Sequence, residues 1–260
     1  LDIAVPGPLK NLAWCSDDLP ALVDGEVEIA VRAVGLNFRD VMYAMGLLPD
    51  EALESGFSGQ TLGMELSGVV TAVGAGVTEP SVGDAVIAFA PAAFASRVIT
   101  RAAAVVPKPR EWSFAAAATI PTAFFTAYYA IKDLAQLGEG ERILIHGAAG
   151  GVGIAAIQIA KHLGAEIFAT AGTPEKRDFV GMLGADHVLD SRSLAFADQI
   201  LEMTAGAGVD VVLNSLAGEG INRSLRVLRP FGRFLELGKR DFFENTRIGL
   251  RPAGEMPVIH

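Results

Sequence analysis

Apolar and polar positions change rhythm near residue 112. Before it, β-like apolar runs at 27–34, 68–73, 85–89 and 95–99 are separated by turns rich in Gly and Pro. Gly74-Ala75-Gly76 and Val82-Gly83-Asp84 read as tight turns, because glycine supplies the backbone angles that such turns need. Short strands at this spacing predict a small, irregular antiparallel barrel. Beyond residue 112 the pattern alternates strand with helix. Strands are expected at 142–146, 166–171, 187–190, 209–213 and 233–237, with helices around 174–183, 195–204 and 220–228. Ser113 is placed to cap a short Ala-rich helix. Pro121 opens the next, which the pattern ends near Gly138. That alternation predicts an α/β unit: a doubly wound parallel sheet covered on both faces. No internal repeat or low-complexity segment interrupts it.

Composition narrows the setting. The chain has 260 residues, of which 51% are hydrophobic, enough for one large domain or two ordinary ones. A net charge of -9 argues against nucleic-acid and anionic-membrane partners, since neither finds an obvious basic face. The single cysteine, Cys15, excludes an intrachain disulfide and points to a reducing compartment such as the cytoplasm. No basic segment precedes an apolar core at the start, so a signal peptide is not expected. Gly, Pro or a charge breaks every apolar run short of membrane-spanning length.

The densest chemical signal is 142–153, Arg-Ile-Leu-Ile-His-Gly-Ala-Ala-Gly-Gly-Val-Gly. A short apolar strand enters a glycine-rich turn, and a helix follows over 152–163. Gly150, Gly151 and Gly153 allow a tight turn and close approach to a pyrophosphate, while the helix start directs unpaired N–H groups toward it. Ala148, Ala149 and Val152 fill the turn, giving A-x-x-G-G-V-G rather than G-x-G-x-x-G. The second strand, 166–171, arrives in the order that a dinucleotide site requires.

The end of that second strand selects the dinucleotide. NAD-selective sites place Asp or Glu about 20 residues past the turn to hold the ribose hydroxyls. Here the strand ends Thr170-Ala171-Gly172-Thr173, with no acid, and Pro174-Glu175-Lys176-Arg177 follows. Thr173, Lys176 and Arg177 offer the hydroxyl and cations that a 2′-phosphate wants, so NADPH is expected. The plainer alternative is that Lys176 and Arg177 form a solvated helix face. Asn214, Ser215 and Leu216 follow one later strand and Gly238 and Lys239 another, at the carboxyl ends where ligands of open α/β sheets bind. Asn214 is equally readable as an Asx turn, and Lys239 as an exposed loop lysine. A zinc site needs three or four converging ligands, and Cys15 lies far in sequence from His146, His162, His187 and His260; no metal is expected. His146, in or beside a buried strand, reads as hydrogen-bonded core, and His162 as outward-facing. No G-x-S-x-G nucleophile motif is present.

The segments Gly63-Met-Glu-Leu-Ser-Gly-Val-Val70, Val73-Gly-Ala-Gly-Val77, Val82-Gly-Asp84 and Ala148-Ala-Gly-Gly-Val-Gly153 together resemble the medium-chain dehydrogenase/reductase superfamily. Zinc-dependent members carry a ligand histidine where this chain has Met64, so the resemblance is to the zinc-free branch. Leu36-Asn-Phe-Arg-Asp-Val41, Val211-Val-Leu-Asn-Ser-Leu-Ala-Gly-Glu219 and Gly232-Arg-Phe-Leu-Glu-Leu-Gly-Lys239 resemble the enoyl reductase domains of modular polyketide synthases and animal-type fatty acid synthases. Leu1-Asp-Ile-Ala-Val-Pro-Gly7 resembles the start of such a domain. The match covers essentially residues 1–252.

That resemblance implies a GroES-like barrel domain at 1–115 and a Rossmann domain at 116–252, with 253–260 as a candidate returning segment. It implies hydride transfer from NADPH to Cβ of an α,β-unsaturated thioester carried on an acyl carrier protein, next to other synthase domains. Lys239 matches the family lysine and becomes the candidate proton donor or orienting cation at Cα. Asn37, Phe38 and Leu48 are expected in the substrate pocket. Leu48 stands where many relatives have a tyrosine associated with one methyl-branch configuration, so the opposite configuration is expected. Residues 248–252 abut a piece resembling a much later part of the family pattern, and the partner Asp of Lys239 has no assignable position. Two other readings stay open: a free-standing NADPH quinone oxidoreductase and an inactive NADPH-binding module. Oligomeric state, acyl chain length and parent synthase are not set by the sequence.

Overall fold

The computed structural model describes residues 1–3, 5–16, 19–54, 56–238, 245–247 and 258–259. The chain divides into two compact units, Leu1–Thr122 and Ala123–His260. In the first, strands β1 (Asp2–Ile3), β2 (Leu12–Ala13) and β3 (Glu26–Val34) precede helices α1 (Phe38–Ala44) and α2 (Asp50–Glu54). Strands β4 (Glu65–Val73), β5 (Ala85–Phe89), β6 (Arg97–Arg101) and β7 (Val105–Pro107) and helix α3 (Phe114–Ala118) complete it. Helix α4 (Pro121–Tyr128) runs across the division and is prolonged by a wider π-helical turn, Tyr129–Leu134. The two compact units divide between Thr122 and Ala123, inside α4. The Ser67 hydroxyl donates to the Phe114 carbonyl, and the Thr122 N–H donates to the Glu65 carboxylate, binding 114–122 to β4.

Five antiparallel strands lie in the order β6-β3-β4-β5-β7. Period-two alternation turns Val27 and Ile29 of β3 inward against Leu66, Val70, Val86 and Val98. A methyl group on Gly68 would sit 2.3 Å from the Ala30 carbonyl oxygen, so β3 and β4 approach as closely as they do only over a glycine.

The second unit continues with β8 (Arg142–Ile145), α5 (Gly151–His162), β9 (Glu166–Ala171), α6 (Pro174–Leu183) and β10 (His187–Asp190). Helix α7 (Phe196–Met203), β11 (Val209–Asn214), α8 (Glu219–Arg226), β12 (Leu228–Glu236) and β13 (Val258–Ile259) follow. All six strands pair in parallel, ordered β10-β9-β8-β11-β12-β13. Strands β9 and β11 are buried along almost their whole length, polar Thr170, Asp210 and Asn214 included, because both faces are covered. Ile143, Ile145, Ile167 and Ala169 pack under α5 on one face. Leu144, Phe168 and Val212 meet Phe196, Ile200, Ile221 and Leu225 of α7 and α8 on the other. Helix α8 stops short of the expected 220–228, because Leu228 already pairs with Val209 and opens a longer strand. Of the residues considered as a returning segment, Val258 and Ile259 pair with Arg233 and Phe234 in this sheet. The rest of 253–260 lies outside the described residues.

Ion pairs gather at the amino ends of these strands. Glu166 bonds Arg142 Nε at 2.8 Å and His187 Nε2 at 2.9 Å; Arg233 reaches Glu141 at 2.7 Å, and Arg229 Nε reaches Asp210 at 2.6 Å. The Arg142 hydrogen bond, aided by His187 and opposed by desolvation, holds the Glu166 carboxyl below its ordinary value. For Glu141, desolvation pushes upward but is outweighed by the Gly138 N–H and by Arg233 and Arg229, so its carboxyl is also held low. A lowered folded-state value contributes stability that is present above the ordinary carboxylate pKa of 4.5 and is lost as pH falls through the folded value. Glu166→Gln is therefore expected to lower stability at pH 7 by no more than about 1 kcal/mol, since the pair is partly exposed. Urea unfolding should show the gap between variant and parent closing as pH drops below about 4.

Candidate functional site

The strand order reverses between β8 and β11: the chain builds outward through β9 and β10, then returns to the other side of β8. Such a reversal opens a crevice at the carboxyl ends of the two central strands, and open α/β sheets bind ligands there. The residues at this end are the glycine-rich turn after β8, the corner after β9 and the ends of β11 and β12.

The turn works differently from its sequence reading. The left-handed residue is Gly147, with φ +61°, whereas Gly150 is extended and caps α5 without a side-chain hydrogen bond. The first-turn N–H groups of α5, from Gly151, Val152 and Gly153, have no intrahelical acceptor and carry the positive end of the helix dipole. Gly153 sets the approach: a Cβ there would lie 2.5 Å from Ala148 Cα and 2.5 Å from the Gly147 oxygen. At Gly151 a Cβ would make only ordinary contact, 3.7 Å from Ala123. Ala148 is buried and donates its N–H to the Thr170 carbonyl, while Ala149 and Val152 are half-buried against the core. This backbone cradle fits a pyrophosphate.

Directly before the turn, His146 is buried with both ring nitrogens occupied. Nδ1 lies 2.9 Å from Thr170 Oγ1 and Nε2 2.9 Å from Ser224 Oγ. Ser224 donates its own proton to the Gly220 carbonyl, so its oxygen accepts from His146 Nε2–H, and Nδ1 accepts from Thr170. Burial pushes the imidazole down to about 3, which keeps it neutral. The ring joins β8, β9 and α8, as the core reading anticipated.

At the corner after β9, Thr173 caps α6 by accepting the Lys176 N–H at 3.3 Å. Lys176 is exposed. Arg177 is tied inward, its Nη1 3.4 Å from the Ala171 oxygen and 3.5 Å from Asp190. Sequence reasoning missed Arg192, whose Nε would be 3.3 Å from a Cβ on Gly172 and which sits beside Ser191. It belongs to the end of β10, a strand away from the glycine motif, and no linear spacing announces it.

Asn214 is fully buried, and its Oδ1 accepts the Leu216 N–H at 3.3 Å, the Asx turn considered above. Ser215 is exposed with its hydroxyl over Gly147; Leu216 and Gly238 are half-buried. Lys239 lies outside the described residues, as do 248–257.

Within the first unit, Asn37 precedes α1 and its Nδ2 donates to the buried Glu65 at 2.7 Å. Phe38 is 77% exposed, and Leu48 packs against Ile3, Tyr43 and Leu62. Helix α1 clasps the loop ahead of β4 by its backbone. Arg39 donates to the Gly59 and Thr61 carbonyls, Tyr43 to the Gln60 carbonyl, and Asp40 accepts the Gly63 N–H. Sequence reasoning assigned Asp40 and Glu65 no part in this. Two expected outcomes follow from the turn. Gly153→Ala should cost about 2 kcal/mol by forcing backbone apart, and Gly151→Ala should leave thermal unfolding unchanged, as calorimetry will show. In ¹⁵N NMR, His146 should stay neutral and protonated on Nε2 down to about pH 5, well above its lowered value.

Two family models match: the alcohol dehydrogenase GroES-like domain over residues 23–120 and the zinc-binding dehydrogenase over 151–254. The residues present do not fit zinc. Met64 occupies the ligand position, Cys15 is exposed, and among the described residues no three His, Cys, Asp or Glu converge. Pikromycin polyketide synthase component PikAII of Streptomyces venezuelae is 44% identical over 98% of this chain and 7% of its own length. Mycoketide-CoA synthase of Mycobacterium tuberculosis is 48% identical over 84% of this chain and 5% of its own. The chain thus spans a small fraction of these curated relatives. Among solved structures, CurK enoyl reductase superposes with a TM-score of 0.88 at 44% identity, covering 100% of this chain and 79% of that one. An Escherichia coli quinone oxidoreductase complexed with NADPH gives 0.85 at 29%, covering 100% and 79%. With that identity sustained over the whole of this chain and most of a solved enoyl reductase, the chain belongs to the enoyl reductase domains of polyketide synthases, within the medium-chain dehydrogenase/reductase superfamily.

Proposed function

We propose that this domain reduces the α,β double bond of an acyl thioester presented by an acyl carrier protein, using NADPH. The observation that carries the reading is the match to an enoyl reductase over the whole of this chain and 79% of that one at 44% identity, against 29% for the Escherichia coli quinone oxidoreductase. When bound, the reduced nicotinamide supplies the hydride for Cβ.

The chain's own residues do the rest. The first turn of α5 and the 148–153 backbone receive the pyrophosphate. Thr173, Lys176 and Arg192 receive the 2′-phosphate, with Arg177 held behind them by Asp190. Ser215, Leu216 and Gly238, at the ends of β11 and β12, flank the nicotinamide, and Asn214 holds that backbone in place. As hydride adds to Cβ, charge collects on the thioester oxygen, and a donor placed there lowers the barrier. Lys239 Nζ delivers a proton to Cα or orients the group that does. Asn37, Phe38 and Leu48 line the acyl side, with Leu48 in place of tyrosine setting the configuration of a methyl branch. Neighbouring synthase domains and the carrier protein are the partners. No described helix is long and apolar enough to cross a membrane, and a cytoplasmic setting suits the free thiol of Cys15.

Turnover of crotonyl-pantetheine with NADPH, followed at the nicotinamide absorbance band, tests the reading. Oxidation with the thioester and none with a quinone is expected; quinone turnover alone, or binding without turnover, overturns it. Lys176→Ala and Arg192→Ala should each weaken NADPH about tenfold, roughly 1.4 kcal/mol, and leave NADH binding unchanged in fluorescence titration.

A further inference from the structure

One carboxylate at the ligand end of the sheet is given no role by the reduction itself. Glu236, the last residue of β12, stands opposite Asn214 in the parallel ladder. Its Oε2 accepts from Asn214 Nδ2 at 2.7 Å, and its Oε1 accepts the Gly238 N–H at 2.6 Å. A Cβ on Gly238 would sit 2.7 Å from that same Oε1, so with the carboxylate held by Asn214 the chain folds back onto it as glycine. Asn214 is fully engaged in turn. Nδ2 also donates to the Leu216 carbonyl at 2.8 Å, Oδ1 accepts the Leu216 N–H, and its backbone oxygen accepts the Leu237 N–H at 2.9 Å. An asparagine amide has two donor hydrogens, and both are taken by protein groups.

We infer that Glu236 and Asn214 are a positioning pair for the nicotinamide end of the site. The carboxylate orients a buried amide, and the two together fix the backbone of Leu216 on one strand end and of Gly238 on the other. Both side chains are engaged by protein groups. They would act through the Leu216 and Gly238 peptide groups that would hold the ring, where a displacement of about 1 Å costs as much as a hundredfold in rate. The polarity of the pair matters: each carboxyl oxygen of Glu236 accepts a hydrogen bond, Oε2 from Asn214 and Oε1 from Gly238, which a carboxylate does and a carboxamide cannot. This inference rests on the site being a nicotinamide dinucleotide site.

Polarity reversal tests it. Glu236→Gln leaves one donor facing an NH2 group, and Asn214→Asp sets two carboxylates against each other. The double variant N214D/E236Q restores one donor and one acceptor between the two side chains and leaves the carboxamide oxygen at position 236 to the Gly238 N–H, while the Leu216 carbonyl still lacks its donor. Each single variant should lower kcat on crotonyl-pantetheine about tenfold or more, with the NADPH Kd changed less than about threefold. The double variant should exceed both single variants in kcat without reaching the parent, because the Leu216 carbonyl stays without its donor. Amide hydrogen exchange supplies a readout without substrate: Gly238 protection should fall about tenfold in Glu236→Gln and return in the double variant, with the melting temperature held. Unchanged Gly238 exchange overturns the inference. So does a double variant no better than its parts, or a loss of protection spread across the whole sheet. A parent protein inert toward the thioester would sink the proposed reaction, and the exchange arm would still decide this pair.

Discussion

A helix can offer its first N–H groups to an anion only if its start lies hard against the strand that leads into it. In this protein that closeness is a backbone contact, with Gly153 of α5 over Gly147 and Ala148. The helix axis, the aim of its dipole and the course of the turn follow from that contact. The turn in turn places His146 at the one position where an imidazole reaches β9 and α8 together. Remove the contact and the pyrophosphate cradle, the β9 corner and the α8 loop lose their common reference.

The two ends of the parallel sheet answer to opposite electrostatic demands. At the amino ends, carboxylates and guanidiniums pair directly, Glu166 and Glu141 partly exposed and Asp210 buried against the half-exposed Arg229. At the carboxyl ends, beside the Arg177–Asp190 pair and the hydrogen-bonded Glu236 carboxylate, the protein supplies hydroxyls, amides and a neutral imidazole close to where a polyanionic cofactor is proposed to lie. Buried polar groups are tolerated there because each is satisfied by a named partner: His146 by Thr170 and Ser224, Asn214 by Leu216 and Glu236.

Much of this was readable in the chain, and the omissions have physical causes. Strand and helix periods separated the two units, and the alternation of strands with helices beyond residue 112 announced a sheet covered on both faces. The glycine motif located the turn and assigned its work to Gly150, Gly151 and Gly153; the close approach is at Gly153, but the left-handed angle is at Gly147. A motif shows which residues are small and not which of them carries positive φ. Arg192, Glu65 and Glu236 escaped because their partners lie across a strand pairing or a loop: β9 to β10, Asn37 to β4, Asn214 to β12. Asn214 was balanced between ligand and Asx turn; the fold gives it the turn and a second bond that local sequence could not show.

Segregating the ion pairs from the ligand end has an evolutionary consequence. Arg142, Glu166, His187, Arg229 and Asp210 lie at strand starts, the length of the sheet away from the glycine turn and the β12 end. Substitutions among them can alter how much heat or acid the fold withstands without reaching the ligand end. Stability can therefore drift at one end of the sheet while the ligand end is reshaped at the other, each without undoing the other.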